Sequence, residues 1–239
     1  MPLGLRSTTL DLGIEHHREG VTALAVDHAL KNYPMTDSNT VRLEAFSDGV
    51  FAIAITLLVL EIKVPSASEL SQAHGLWPAL AGRWPSYVGF VASFFIVGVM
   101  WTNHHALIEY LRRVDRRLLL ANLFLLMGVS FLPYPTAVLA QNLANPVTRT
   151  DATVFYGVAL AFNSLTYNVL WWLGRSQRTL LEPDVRDLDL RAITRRYALT
   201  MLGAVVATGL AVLNVWLSLA IHLALYAVNA RSERASDIH

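Results

Sequence analysis

The 239-residue sequence contains no cysteine, few charged residues and almost no net charge. The absence of cysteine excludes a disulfide scaffold, a thiolate nucleophile and a cysteine-ligated zinc or iron–sulfur centre. Charged residues make up 15% of the chain, whereas a soluble domain carries about a quarter. The net charge of +1 provides no basic footprint for nucleic acid. These shortages argue against a soluble enzyme and against a nucleic-acid-binding protein.

Charge is missing altogether from four long stretches, residues 84–108, 118–148, 152–174 and 197–230. A bilayer core of about 30 Å needs roughly 20 helical residues, so each stretch can cross it, and the last fits two short helices joined near Asn214. Residues 43–64 form a further candidate with a shorter uncharged centre. We therefore predict an all-α integral membrane protein with six transmembrane helices, at about 43–64, 85–108, 118–140, 152–174, 197–213 and 215–230.

The basic residues outside these segments test the count. Lysine and arginine collect in cytoplasmic loops, and alternate loops of the six-helix arrangement hold 16 and 3 of them. A wrong number of spans would have scrambled this asymmetry. The pattern predicts a multi-pass protein of the cell membrane with both termini in the cytoplasm.

The segments outside the six helices divide the chain into three parts. Residues 1–40 have mixed polarity and lack the apolar core of a signal peptide. We expect them to be a leader that is either disordered or the product of a misplaced start, with Met35 as the alternative initiator. Residues 41–230 form the membrane domain, and residues 231–239 form a cytoplasmic tail.

The first predicted helix opens with polar residues, among them Arg42, Ser47 and Asp48. A carboxylate within a membrane helix is costly, about 3 kcal/mol at mid-helix, and therefore has a partner or faces water. In one interpretation Asp48 belongs to a structural polar pair, with Arg42 or a ring nitrogen of the second helix. In the other it contacts a permeating ion directly.

Further along the same helix, Ile53, Leu57 and Leu60 fall within about 60° of one another on a helical wheel, and Thr56 lies on the flank of this stripe. Such a stripe is typical of helix packing. Periodicity alone does not distinguish a packed core from the lining of a pore.

A second polar cluster ends the second predicted helix, at Trp101, Asn103, His104 and His105. Adjacent histidines point about 100° apart, so these residues with Glu109 do not predict a zinc site. We expect instead that one histidine, together with Asn103, bonds to the polar start of the first helix, and that Trp101 packs near the membrane interface.

The run Arg42-x-x-x-Phe46-Ser47-Asp48-Gly49 resembles the signature of the TMEM175 family of potassium channels, and the run from Trp101 to His105 is similar to the end of that family's second helix. The resemblance covers about residues 41–230. It implies a homotetramer in which helix 1 lines a central pore, Ile53, Leu57 and Leu60 form the constriction, and Thr56 contributes to selectivity. It also implies a structural polar network of Arg42, Phe46, Ser47, Asp48, Trp101, Asn103, His104 and His105.

The function that follows is a potassium-selective leak channel, with K⁺, membrane lipids and other copies of the chain as its partners and with no cofactor or bound metal. The sequence lacks the Thr-Val-Gly-Tyr-Gly run whose carbonyl groups replace the hydration shell of K⁺ in other channels, so selection is expected to be modest. The alternative is a secondary transporter or proton-coupled carrier, which would require inverted repeats. An intramembrane enzyme is a weaker hypothesis, because the sequence offers no convincing set of catalytic groups.

Overall fold

The computed structural model describes residues 37–183 and 185–232, and the regular structure within these ranges is helical apart from one isolated β-bridge. Most of the expected leader 1–40 and of the tail 231–239 lies outside the described residues. The helices are α1 (Asp37–Leu57), α2 (Ala67–Gln72), α3 (Leu76–Ala81), α4 (Trp84–Glu109), α5 (Arg116–Phe131), α6 (Pro133–Asn142), α7 (Arg149–Ser176), α8 (Asp187–Leu210) and α9 (Val215–Ser232), with 3₁₀ turns at Leu58–Glu61 and Arg178–Leu180.

Three stretches are long and apolar enough to cross a membrane, Asn39–Glu61, Trp84–Glu109 and Arg116–Asn142. The third joins α5 to α6 across Leu132, where Pro133 and Pro135 lack the N–H groups that would continue the helical hydrogen bonds. Val215–Ala230 is a shorter apolar helix. Three of the six predicted spans thus meet these criteria, and the full count of six stays a prediction.

Two helix bounds differ clearly from the expectation. Helix α1 begins at Asp37 rather than near residue 43, and it tightens into a 3₁₀ turn after Leu57. Helix α8 begins at Asp187, ten residues before the uncharged stretch. The first half of α8 is charged, and charge-free stretches mark the part of a helix that can enter lipid rather than the whole helix.

The long helices alternate in direction. The loop after α4 pairs with the loop after α7 through a bridge between Leu111 and Leu181, in which Arg112 N–H donates to Leu180 O at 2.9 Å. Near the start of α1, the Thr40 hydroxyl donates to Arg112 O at 3.5 Å. The two loops richest in arginine therefore meet at the same end of the bundle as the start of α1, and we call this the arginine-rich end.

The bundle has a hydrophobic core, but its exterior differs from that of a soluble protein. Large apolar side chains are exposed along every long helix, for example Phe94, Phe124, Trp172 and Leu202. Polar side chains such as Asn122 are fully buried. An exterior of this kind suits lipid, where helices associate through packing and interhelical hydrogen bonds rather than by hiding apolar surface.

Candidate functional site on the first helix

Helix α1 and the 3₁₀ turn after it have two faces that differ in burial. The face turned into the bundle carries Leu43, Ser47, Phe51, Ala54 and Leu58, each at most 6% exposed. The opposite face, which we call the outer face of α1, carries Phe46, Ile53, Thr56, Leu57 and Leu60, all of them exposed. The four apolar members of the outer face are 39–62% exposed. The stripe identified in the sequence therefore makes no contribution to the core of the single chain.

A chain of three fully buried polar side chains holds the inner face. Asn122 Nδ2 on α5 donates to Ser47 Oγ at 3.0 Å, and the Ser47 hydroxyl donates to Leu43 O at 2.8 Å. The Asn122 carbonyl oxygen lies 2.7 Å from Nε2 of His104 on α4. Because that oxygen can only accept, Nε2 carries the imidazole proton. This Ser47–Asn122–His104 chain joins α1, α5 and α4 with hydrogen bonds that lipid cannot replace.

The outcome differs in part from the expectation for this cluster. Both histidines reach the polar start of helix 1: His105 contacts Glu44 directly, and His104 reaches Ser47 through Asn122, which lies on a third helix. Asn103 does not take part: it is turned away from α1, and its Oδ1 has no hydrogen-bond partner among the described residues. The reason is the helical repeat, which places adjacent residues on different faces of α4.

Asp48 has a neutral partner. Trp101 Nε1 donates to Asp48 Oδ1 at 2.8 Å, and both side chains are partly open to the surface. Arg42 is exposed and makes no ion pair with any residue in 37–183 or 185–232. The carboxylate is therefore oriented by an indole N–H instead of being neutralised by the arginine of its own helix.

His105 forms a separate contact at the arginine-rich end. Its ring stacks on Trp101 at a centroid distance of 6.2 Å, and its Nδ1 lies 2.7 Å from Glu44 Oε1 on α1. Its Nε2 lies 3.4 Å from Glu109 Oε1. Since His104 points into the bundle and His105 to the surface, the two histidines share no ligand.

The outer face has its own geometry. The Thr56 hydroxyl donates to Ile53 O at 2.9 Å, which uses its proton and leaves the lone pairs of its oxygen directed away from the helix. The 3₁₀ turn advances about 120° per residue, so Leu60 eclipses Leu57 instead of lying on its flank. Successive apolar positions Ile53, Leu57 and Leu60 are then spaced about 6 Å apart along the axis.

Sequence reasoning missed two polar clusters deeper in the bundle. Ser93 Oγ on α4 lies 2.9 Å from Thr136 Oγ1 and 3.0 Å from the hydroxyl of Tyr156 on α7. His222 on α9 lies 3.5 Å from Thr208 Oγ1 on α8. Each residue stands alone in an apolar stretch of sequence, and only the fold brings the members together.

The comparisons with known proteins address the same region. The profile of the family described as endosomal/lysosomal potassium channel TMEM175 matches residues 42–133, which include α1 from Arg42 onward and the whole of α4. A potassium channel of Streptomyces collinus is 46% identical over 187 residues, which are 77% of this chain and 89% of that protein. The chain belongs to the TMEM175 family.

Two further relatives, one of them a solved structure, also carry the TMEM175 name. The crystal structure of a lysosomal potassium-selective channel TMEM175 homologue from Chamaesiphon minutus matches with a TM-score of 0.73 at 38% identity, covering 81% of this chain and 99% of that one. The endosomal/lysosomal proton channel TMEM175 of Danio rerio is 32% identical over 160 residues, or 64% of this chain and 31% of that protein. The helical arrangement described above is thus the fold of the Chamaesiphon homologue.

Proposed function

We propose that this protein is a potassium-selective channel of the cell membrane, in which four copies of α1 surround a central pore. The observation that carries the proposal is the exposure of Ile53, Leu57 and Leu60 on a helix whose other face is fixed by buried hydrogen bonds. Apolar surface in the same position would also suit lipid. The hydroxyl on the flank of the stripe favours a pore, because the Thr56 oxygen keeps acceptor lone pairs that a cation or water can use and lipid cannot.

In this arrangement the three apolar positions form successive rings about 6 Å apart, a seal about 12 Å long. A narrow aliphatic ring excludes water and conducts only when it widens. The anchor of α1 to α4 and α5 then has a mechanical role, since it fixes the rotation of α1 that directs these side chains toward the axis.

Selectivity is assigned to Thr56. Its hydroxyl proton is donated to Ile53 O, so in a tetramer four oxygens would offer lone pairs to a passing cation. Such a ring replaces only part of a hydration shell and favours the more easily dehydrated K⁺ over Na⁺. We expect modest discrimination, weaker than that of a filter built from carbonyl groups.

Reconstitution into liposomes tests the proposal. With a potassium gradient and no other substrate, a channel gives a potential that follows the gradient, and flux does not saturate. A carrier, the alternative function, would show saturable flux that stops when a coupled ion is removed. An animal relative bears the name of a proton channel, so proton conduction needs its own control. In the same liposomes with equal K⁺ on both sides and a pH gradient, a potassium-selective channel should give no potential.

The oligomer is tested separately. Purified protein in detergent should have the mass of four chains, and cysteines placed one at a time on the outer face of α1 should crosslink between subunits, which the native chain permits because it has no cysteine. Crosslinks at Ile53 but not at Val205, an exposed apolar residue of α8, would support a central α1. The reverse pattern would move the axis to α8.

A further inference from the structure

A charged cavity of about 290 Å³ lies at the arginine-rich end, between the end of α7 and the start of α8. Its lining is unusually basic for its size: three arginines, one carboxylate and one leucine, namely Arg175, Arg178, Asp187, Leu190 and Arg191. Nothing in the proposed conduction mechanism uses these residues, which lie on different helices from the pore stripe.

The charges in and around the cavity do not cancel. Asp187 is bonded to Arg178, whose guanidinium also donates to Val185 O. The neighbouring carboxylate of Asp189 lies outside the lining and is held by Arg186 at 3.0 Å. The described carboxylates beside the cavity are therefore paired with arginines other than Arg175 and Arg191.

These two arginines keep donors to spare. Arg175 Nη1 donates to Thr194 Oγ1 at 2.6 Å, which fixes the guanidinium and leaves its other N–H groups open. Arg191 makes no hydrogen bond or ion pair with any described residue. Two guanidinium groups with free N–H donors on one cavity match the geometry and charge of a phosphate group, which accepts paired hydrogen bonds from arginine.

The position of the cavity indicates where such a phosphate comes from. Arg175 is the first charged residue after the 23 uncharged residues 152–174 of α7, so it stands where an apolar helix would leave the hydrocarbon. One turn earlier, Trp172 is 61% exposed. Exposed tryptophan at the end of an apolar stretch is typical of the membrane interface, the level at which lipid phosphates lie.

From this placement we propose that the cavity is a binding site for the phosphate of an anionic phospholipid headgroup, held between Arg175 and Arg191. The lipid would clamp the end of α7 to the start of α8, and its acyl chains would extend along the exposed apolar surface that includes Trp172. The site is independent of conduction, so it stands or falls separately from the proposed channel activity.

Lipid binding to the purified full-length protein tests the site. In detergent, phosphatidylglycerol should raise the unfolding temperature and be retained through purification, whereas zwitterionic phosphatidylcholine should do neither. The double variant Arg175→Gln/Arg191→Gln should weaken phosphatidylglycerol binding about ten-fold. The matched control is Arg116→Gln/Arg117→Gln, which removes two exposed charges at the same end but outside the cavity. It should change binding less than two-fold.

A third variant has the opposite expected sign. Asp187→Asn removes the only carboxylate of the lining and releases Arg178, so phosphatidylglycerol should bind more tightly, a result that misfolding cannot produce. Equal losses in both double variants would mean general surface attraction and would overturn the site. Inorganic phosphate that binds as tightly as the lipid, with the same dependence on Arg175 and Arg191, would overturn the lipid as its source. No tightening in Asp187→Asn would count against the assigned lining.

Discussion

The two faces of α1 differ in burial and in what they contact. The inner face places Ser47 in a fully buried chain of hydrogen bonds with Asn122 and His104. The outer face exposes Ile53 and Leu60, each about three-fifths open to the surface. Both faces are mainly apolar, but only the inner one packs into the core and has interhelical hydrogen bonds. The apolar surface of the outer face remains free for lipid, for another subunit or for a pore.

The largest expected effect comes from breaking the inner face at its centre. Asn122→Leu leaves Ser47 and His104 without their interhelical partner, each at a cost of about 1 to 3 kcal/mol. Yield and retention of the oligomer should fall sharply, as measured by size-exclusion chromatography after mild heating. Asn142→Leu is the control, because the Asn142 amide donates only to Val138 O in its own helix. If the two variants lose the oligomer to the same extent, the Ser47–Asn122–His104 chain does not anchor α1.

Asp48→Ala should have the next largest effect on assembly. It removes the acceptor of the Trp101 indole N–H, but that group is partly exposed and can find another acceptor. We therefore expect a loss smaller than for Asn122→Leu and larger than for Ile53→Ala in the same heating assay. Normal assembly with altered ion selectivity would instead assign the carboxylate to the ion path.

A change on the outer face should alter flux rather than folding. If the proposed pore is correct, Ile53→Asn would wet the first apolar position and raise potassium flux in liposomes, because an amide replaces the aliphatic side chain in every subunit. Val205→Asn places the same group on an exposed apolar position of α8 and should leave flux per reconstituted protein unchanged. If Ile53→Asn leaves it unchanged as well, the pore does not lie on this face.

Thr56→Ala should produce a smaller and more specific change. Total current should persist, because the aliphatic rings remain, while the reversal potential under bi-ionic potassium and sodium moves toward zero. Thr56→Ser keeps the hydroxyl and should keep the selectivity of the parent protein. A shift in Thr56→Ser as large as that in Thr56→Ala would make the methyl group, rather than the oxygen, responsible.

The smallest effect is expected at Glu69 of the short helix α2, in the connection between α1 and α4. The backbone N–H of Ser66, its hydroxyl and the Arg83 guanidinium lower the pKa of Glu69. A lowered pKa means that the ionised carboxylate stabilises the folded state above the ordinary value of about 4.3, and that this contribution is lost as the pH falls through the lowered value. Glu69→Gln should lower the unfolding temperature slightly at pH 7, where the ionised carboxylate contributes, and the difference from the parent protein should disappear as the pH falls through the lowered pKa. A loss in acid as large as that at pH 7 would indicate a role in packing.

How much of this could be predicted depended on the range of the interaction. The polar start of helix 1 and the cluster around His104 stood out because polar groups are rare in apolar stretches. The connection between them could not be predicted, because Asn122 is one of several asparagines in apolar stretches and periodicity does not say which helix it faces. The role expected for Asn103 was wrong for the same reason, since one step along α4 separates a residue that faces α1 from one that does not.

The sequence by itself determined the class of the protein. Its long uncharged runs are typical of membrane-spanning helices, which satisfy their backbone N–H and C=O groups internally, and a specific run of polar residues marks the family. It also determined that one stripe of helix 1 is aliphatic with a hydroxyl on its flank. Only the tertiary structure decided that this stripe is exposed, that the 3₁₀ turn brings Leu60 over Leu57, and that two arginine-rich loops meet at one end. Local periodicity is set by neighbours in the chain, whereas the rotation of a helix and the pairing of loops are set by contacts between residues far apart in sequence.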